Sequence, residues 1–463
     1  METGVNLAPK RADPRTWFGA LQQQAATPAP FRELASAGAA TLDEVDLPHR
    51  KQEPYRYTDL EAIFRHSYDA TAGLPVSQEF AQKYLSEASK GQQLVFVNGR
   101  FNAQLSDTSA VPEGVYVGSA LGAGEHQAAV MGVLDHLPEV GANKNTCQGS
   151  LPFAALNQAC FADAAAVVIP PNVTVEQPIQ VLFVTHAPKE NEGGEGGAIC
   201  HPRLAIVAGE GSSALVMQSY VGEGDYFANC VTRSVVGKGA KLSHTHSQEQ
   251  SASAQHLDTV VADLAEEAVY SLSMVACGGL FARSNIQVEL NGAKAHCNLN
   301  AAALCSGDQS VDFHTQMGHA APDTTMEQQH RNIVADSSDC IFKGRVRVDG
   351  IAQGTDAHQL CRTLMLSDRA RVTAMPSLEI TADDVKCAHG ATVADLDEES
   401  LFYLGCRGIN AAEARALVIK GFAFDMIKAL PDTNLQARVL EKLISMTPKS
   451  SRAVTAEGAF SSI

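Results

Sequence analysis

The densest run of reactive side chains lies late in the chain, at Asp383-Asp384-Val385-Lys386-Cys387-Ala388-His389-Gly390-Ala391-Thr392. Cys387 and His389 stand two apart, so on an extended strand both side chains leave the same face. A thiol and an imidazole placed that way suit soft ligation of a transition metal, or a nucleophile beside its base. Lys386, next to the thiol, would favour its ionised form. In a chain with 11 cysteines and 15 histidines, an accidental Cys-x-His pair is the plain alternative.

The other reactive residues are more dispersed. His244 and His246 alternate along a run that reads as strand, with His256 not far beyond. Read as three histidines without a carboxylate partner, they are expected to form a solvated strand face. Cys297, Cys305, Cys340 and Cys361 fall among repeats where small apolar side chains fill a narrow interior, so packing is expected of them rather than ligation. There is no CxxC, so a self-contained zinc or ferredoxin-type site is not expected. There is no GxxxxGK[ST] either, hence no nucleotide-binding loop of this chain's own.

The elements that must position these residues change character along the chain. WFGALQQQAA and FRELASAGAATLDEVDLP read as short helices broken by Pro28, Pro30 and Pro48. QLVFVNGRF and GVYVGS read as strands, and EHQAAVMGVLDHL as a helix ending near Pro138. Residues 1–150 are therefore expected to form a helical and mixed α/β region. From Ala164 β-branched residues cluster between prolines, and KENEGGEGGAICHPR reads as a polar loop.

A loose repeat follows: GEGSSALVMQ near Gly211, GKGAKLSHTH near Gly239, AEEAVYSLSM near Glu266 and NGAKAHCNLN near Gly292, recurring about every 27 residues. Each unit is a turn followed by a strand and cannot bury its apolar side alone, so the units must stack. A mainly β fold is expected, with a parallel β-helix core over residues 151–394 and an insertion around Gly307 to Gln329. Residues 395–463 read as helical, with a cap at Asn410 and Glu413, a stop at Pro431 and an apolar face of Leu417, Ile419, Phe422, Met426 and Ile427. These helices are expected to cap the solenoid end or to meet a partner.

The formal net charge of -17 opposes broad attraction to nucleic acid or an anionic membrane face. No apolar run reaches the length of a membrane span, and the first residues lack the order of a secretory signal, so an intracellular protein is expected. Cysteines scattered singly, in odd number, fit free thiols in a reducing compartment rather than a disulfide framework.

The run ADDVKCAHGATVADLDEESLFYLGCRGI resembles the signature of the SufB/SufD family. EPYRYTDL, PFAALNQACFADAAAVVIPPNVTVEQPI and QQHRNIVADSSDCIFKGRVRVDGIAQGTDAHQLCRTLML support the likeness, which covers most of the chain from about Glu53 onward. Gly390 after the histidine resembles the SufD branch, whereas SufB-like chains tend to carry an acidic residue there. The resemblance implies a right-handed parallel β-helix with helical ends, acting as a non-catalytic scaffold of iron–sulfur cluster assembly. It implies pairing with a SufB-like paralogue and docking of a SufC-like ABC ATPase.

By the same resemblance, His389 with Cys387 beside it is the candidate contributor to iron or a nascent cluster in the complex, with no metal or cofactor held stably by the isolated chain. The alternative role for this segment is to shape the subunit interface. Phe402, Tyr403, Arg407, Gly408, Ile419 and Phe422 are the candidate ATPase-docking residues, with intramolecular packing as the alternative for each. Self-association is an alternative when the paralogue is absent. Suf systems imply a bacterial cytoplasm or, for a mature plastid protein, the stroma. The competing function classes are a β-helix enzyme acting on polysaccharide, which calls for a secretory signal and clustered carboxylates, and a stand-alone metal-binding protein.

Overall fold

The computed structural model describes residues 13–70, 72–138, 149–189 and 197–446. Strands dominate, and they stack into a β-solenoid of about seven turns flanked by N- and C-terminal helices. Each turn supplies one strand to each of two sheets, and successive strands of a sheet pair in parallel, as between Gln255–Leu264 and Phe281–Leu290 or between Lys241–Glu249 and Val269–Ala276.

The repeat seen in the sequence is the pitch of this solenoid. At one corner Gly211, Gly239, Glu267, Lys294, Asp323 and Gly354 all take positive φ. Each donates its backbone N–H to the next turn: Gly211 to Lys238, Gly239 to Glu266, Glu267 to Ala293, Lys294 to Pro322, Asp323 to Gln353 and Gly354 to Asp384. A left-handed residue turns the chain sharply, and the ladder of amide bonds satisfies the backbone that the turn exposes. Residues Gly307 to Gln329 are not an insertion. They contain the strand Ser310–His319 and the start of Thr325–Val334, paired in register with the turns on either side. The expected loop before the repeats lies partly outside the described residues, but its end, Gly197–Cys200, is a strand paired with Tyr68–Asp69 and with Tyr226–Val236.

The N-terminal region joins the solenoid rather than standing apart. Gln93–Val97 pairs in parallel with Ile179–His186, and Tyr116–Ser119 pairs antiparallel with Ala165–Ile169, closing the first turn. The helices Pro14–Gln23 and Arg32–Glu44 cover one flank through Trp17, Phe18, Leu21, Phe64, Phe153 and Phe227. Between them and the solenoid lies the helix Leu151–Cys160, all of it buried; its Asn157 donates to the Pro202 and Asn229 carbonyls. EPYRYTDL forms the clamp over this flank. Tyr55 lies under the Arg283 guanidinium at 4.9 Å, Thr58 donates to Asp312 at 2.6 Å, and Glu53 pairs with Lys343.

The C-terminal helices Glu398–Cys406, Ala411–Lys428 and Thr433–Ser445 follow the expected pattern, and Asn410 accepts from the Glu413 amide at 2.9 Å. They do not cap the solenoid end. Ile419, Ala423, Leu435, Val439 and Leu443 pack on the outward side chains Val275, Leu304, Ile333 and Leu364 of one sheet. Arg438 on Glu249 and Arg331 on the Phe422 carbonyl fix the helices along that flank. The final turn, Arg371–Ile380 and Val385–Ala394, is left uncovered, with half-buried and exposed residues where earlier turns are buried. Among the described residues no helix is long and apolar enough to cross a membrane.

Candidate functional site

Val385–Ala394 is the last strand of its sheet, paired on one edge with Thr355–Met365. In that pairing Cys387 stands over Ala357 and His389 over Gln359. Val385 and Cys387 pack against the solenoid core, so alternation turns His389 towards the lumen as well, at its open mouth. The expectation that the two side chains share a face holds for this geometry. Lys386 falls on the opposite face and does not activate the thiol. Burial pushes the Cys387 thiol up, an effect that the Ala357 backbone moderates and the Asp356 charge adds to.

Polar side chains line the lumen directly beneath His389. Gln359 donates to Gln328 at 3.0 Å; Gln328 donates to Thr315 at 2.8 Å and lies 2.8 Å from His330 Nε2. Below them Leu299, Leu272, Ala301 and Met274 follow in register and close the interior with apolar side chains. The mouth is thus polar and shallow, with a histidine and a thiol at its rim and two unpaired strand edges beside it.

The docking candidates separate into two groups. Phe402 and Tyr403 are 75% and 55% exposed, and Arg407 stacks on the Tyr403 ring at 4.5 Å. Gly408 follows with φ +84°, a turn that favours glycine. These form an apolar and cationic ridge on the surface. Ile419 is fully buried against the solenoid flank, and Phe422 is half-buried beside Arg331. For Ile419 docking is corrected to intramolecular packing, because its side chain is spent on the sheet beneath the helix, whereas Phe422 stays half-buried and Leu417 of the same expected apolar face is exposed.

The histidines read as a solvated strand face are corrected more sharply. His244, His246 and His256 are at most 1% exposed and point into the lumen. Asp258, two residues after His256 on the same strand face, is fully buried beside them, with an oxygen 2.7 Å from His246 Nε2. The His-x-Asp spacing within one strand was the available signal. The approach of the His244/His246 strand to it required the solenoid. Cys297, Cys305, Cys340 and Cys361 are buried in the core as expected, and the ten described cysteines are all free.

A parallel β-solenoid with an uncovered end turn, a Cys-x-His pair at its mouth and helices along one flank defines a class of solenoid proteins built around one presented end. The family profile described as the SufBD core domain of SUF system iron–sulfur cluster assembly matches residues 190–422, and that of the SufBD N-terminal region matches residues 22–181. The chain belongs to the SufBD family. A SufBD family iron–sulfur cluster assembly protein of Synechocystis is 30% identical over 87% of this chain and 88% of its own length. The chloroplastic protein ABCI7 of Arabidopsis thaliana is 31% identical over 88% of this chain and 84% of its own. The iron–sulfur cluster assembly protein SufD of Escherichia coli is 28% identical over 88% and 90%.

Proposed function

We propose that this chain is a non-catalytic scaffold subunit of iron–sulfur cluster assembly that pairs end-on with a SufB-like paralogue and docks a SufC-like ABC ATPase on its C-terminal helices. The observation that carries the reading is the uncovered last turn, whose two strands each present an unpaired edge next to His389 and Cys387. Open strand edges of this length are templates for pairing with another chain, and a free protein normally blunts them. A solenoid of the same pitch would continue the ladder and bring its own side chains over the mouth. His389 and Cys387 then supply part of a ligand set that a second chain completes, so iron or a nascent cluster is cargo held only in the complex.

The ridge of Phe402, Tyr403 and Arg407 suits the ATPase, because exposed aromatics with arginine are the side chains that anchor interfaces. ATP hydrolysis belongs to that partner. Relatives named from a chloroplast and from bacteria support a plastid stroma or a bacterial cytoplasm. Without the paralogue, the same open end would accept a second copy of this chain.

The test is anaerobic co-purification with SufB-like and SufC-like counterparts, wild type against His389→Ala, with iron and sulfide measured in the complex. A complex that forms normally but holds no cluster supports the cargo role of His389. Failure of subunit assembly makes the segment an interface element only, and no change in either measurement removes His389 from the site.

A further inference from the structure

Deep in the lumen, apolar layers away from His389, a second group of donors converges. One nitrogen each of His246 and His256 and a carboxylate oxygen of Asp258 lie within 4.8 Å of one another, on two strands that face each other across the interior. None of the three is more than 1% exposed. His246 Nε2 approaches Asp258 at 2.7 Å without the alignment of a hydrogen bond. Both nitrogens of His246, both oxygens of Asp258 and Nε2 of His256 have no hydrogen-bond partner.

Buried polar atoms are satisfied in the great majority of cases, so three residues that each bring a donor atom to one place, with five of their polar atoms unsatisfied, call for something between them. We propose that His246, His256 and Asp258 bind a divalent first-row transition-metal ion, Zn2+ or Fe2+, inside the solenoid. Two imidazoles and one carboxylate are a donor set that both ions accept, leaving further positions open. Ligands about 2.1 Å from a metal stand about 3.0–3.4 Å from each other, so the 2.7 Å contact needs only a small opening.

The surroundings orient these ligands as a metal's outer shell does. His256 Nδ1 lies 3.9 Å from Cys230 Sγ, which leaves Nε2 free to ligate. The Tyr220 ring packs on both histidines, 5.2 Å from His246 and 5.0 Å from His256. His244 is held out of the set by Tyr270 and Gln218, both at 2.9 Å. An ion enclosed on all sides loads as the chain folds and leaves slowly.

The full chain is unfolded, refolded with Zn2+ alone or anaerobically with Fe2+ alone, and passed through chelator, and the retained metal is counted by mass spectrometry. About one equivalent is expected in wild type and in His389→Ala, whose site is remote, with retention at least about tenfold lower in Asp258→Asn and His256→Gln. Should these two variants fail to fold by circular dichroism, X-ray absorption of the unmutated zinc form decides. Nitrogen and oxygen neighbours at about 2.0–2.1 Å with imidazole scattering support the site, and sulfur at about 2.3 Å overturns it. No retained metal in wild type also overturns it and leaves a buried contact between His246 and Asp258 only. Because His389→Ala is scored separately, failure here is distinguishable from failure of the scaffold reading.

Discussion

The clamp between EPYRYTDL and the solenoid sets a measurable stability. Asp312 is fully buried; one of its oxygens accepts from Arg283 at 2.8 Å and Thr58 at 2.6 Å, and the other lies 2.9 Å from His314 Nε2. Burial alone would raise its carboxyl, but His314 and Arg283 outweigh it and hold Asp312 at about 2. Burial and the Arg283 charge push His314 itself down, so at pH 7 Arg283 supplies the charge beside Asp312. Asp312→Asn removes that compensation and leaves a buried guanidinium. Breaking a buried pair costs about 3–5 kcal/mol, and the amide oxygen still accepts one bond, so about 3 kcal/mol is expected. The gap between the ordinary 3.8 and about 2 is of the same order, about 2 kcal/mol. Because the folded value is the lower one, this stabilisation is complete above about pH 4 and is lost as the pH falls towards 2.

The single tryptophan, Trp17, reports on this clamp from the helical layer it holds down. Urea titration followed by Trp17 fluorescence should show the loss, and far-ultraviolet circular dichroism should show a smaller shift, since the solenoid ladder persists. Replacing both partners, as Arg283→Met with Asp312→Leu, should recover much of the stability. A single-variant loss below about 1 kcal/mol, or a double variant as unstable as the sum of its parts, would refute the reasoning.

Phe402→Ala with Tyr403→Ala should change the unfolding free energy by no more than a surface substitution does, about 0.5 kcal/mol, while abolishing capture of the ATPase in a pull-down. Ile419→Ala should instead destabilise by about 2–5 kcal/mol in urea titration, because the side chain fills the seam between helix and sheet. Asn410→Ala should cost about 1 kcal/mol through loss of the cap on the Glu413 amide. In the native chain, maleimide labelling mapped by peptide mass should mark exposed Cys406 first and half-buried Cys387 more slowly. The buried Cys160, Cys200 and Cys297, with thiols pushed up to about 12, should label only on unfolding.

Much of the architecture is local information. The turn-then-strand units near Gly211, Gly239, Glu266 and Gly292 carry the pitch of the solenoid, because a positive-φ corner followed by alternating side chains needs only near neighbours to be specified. The same holds for the shared face of Cys387 and His389, and for the start of the helix at Asn410. Alternation says which residues share a face but not which face becomes the inside. His244 and His246 therefore read equally well as solvated or as buried, and the closing of two sheets around a lumen decided between them and set Asp258 opposite. An apolar helix face likewise states that it must be covered without stating by what. The flank of Leu304, Ile333 and Leu364 covers Ile419, and the last turn stays open because the helices lie beside it. Partners far apart in the chain, such as Thr58 with Asp312, meet only after the turns between them have stacked, so their chemistry belongs to the tertiary fold.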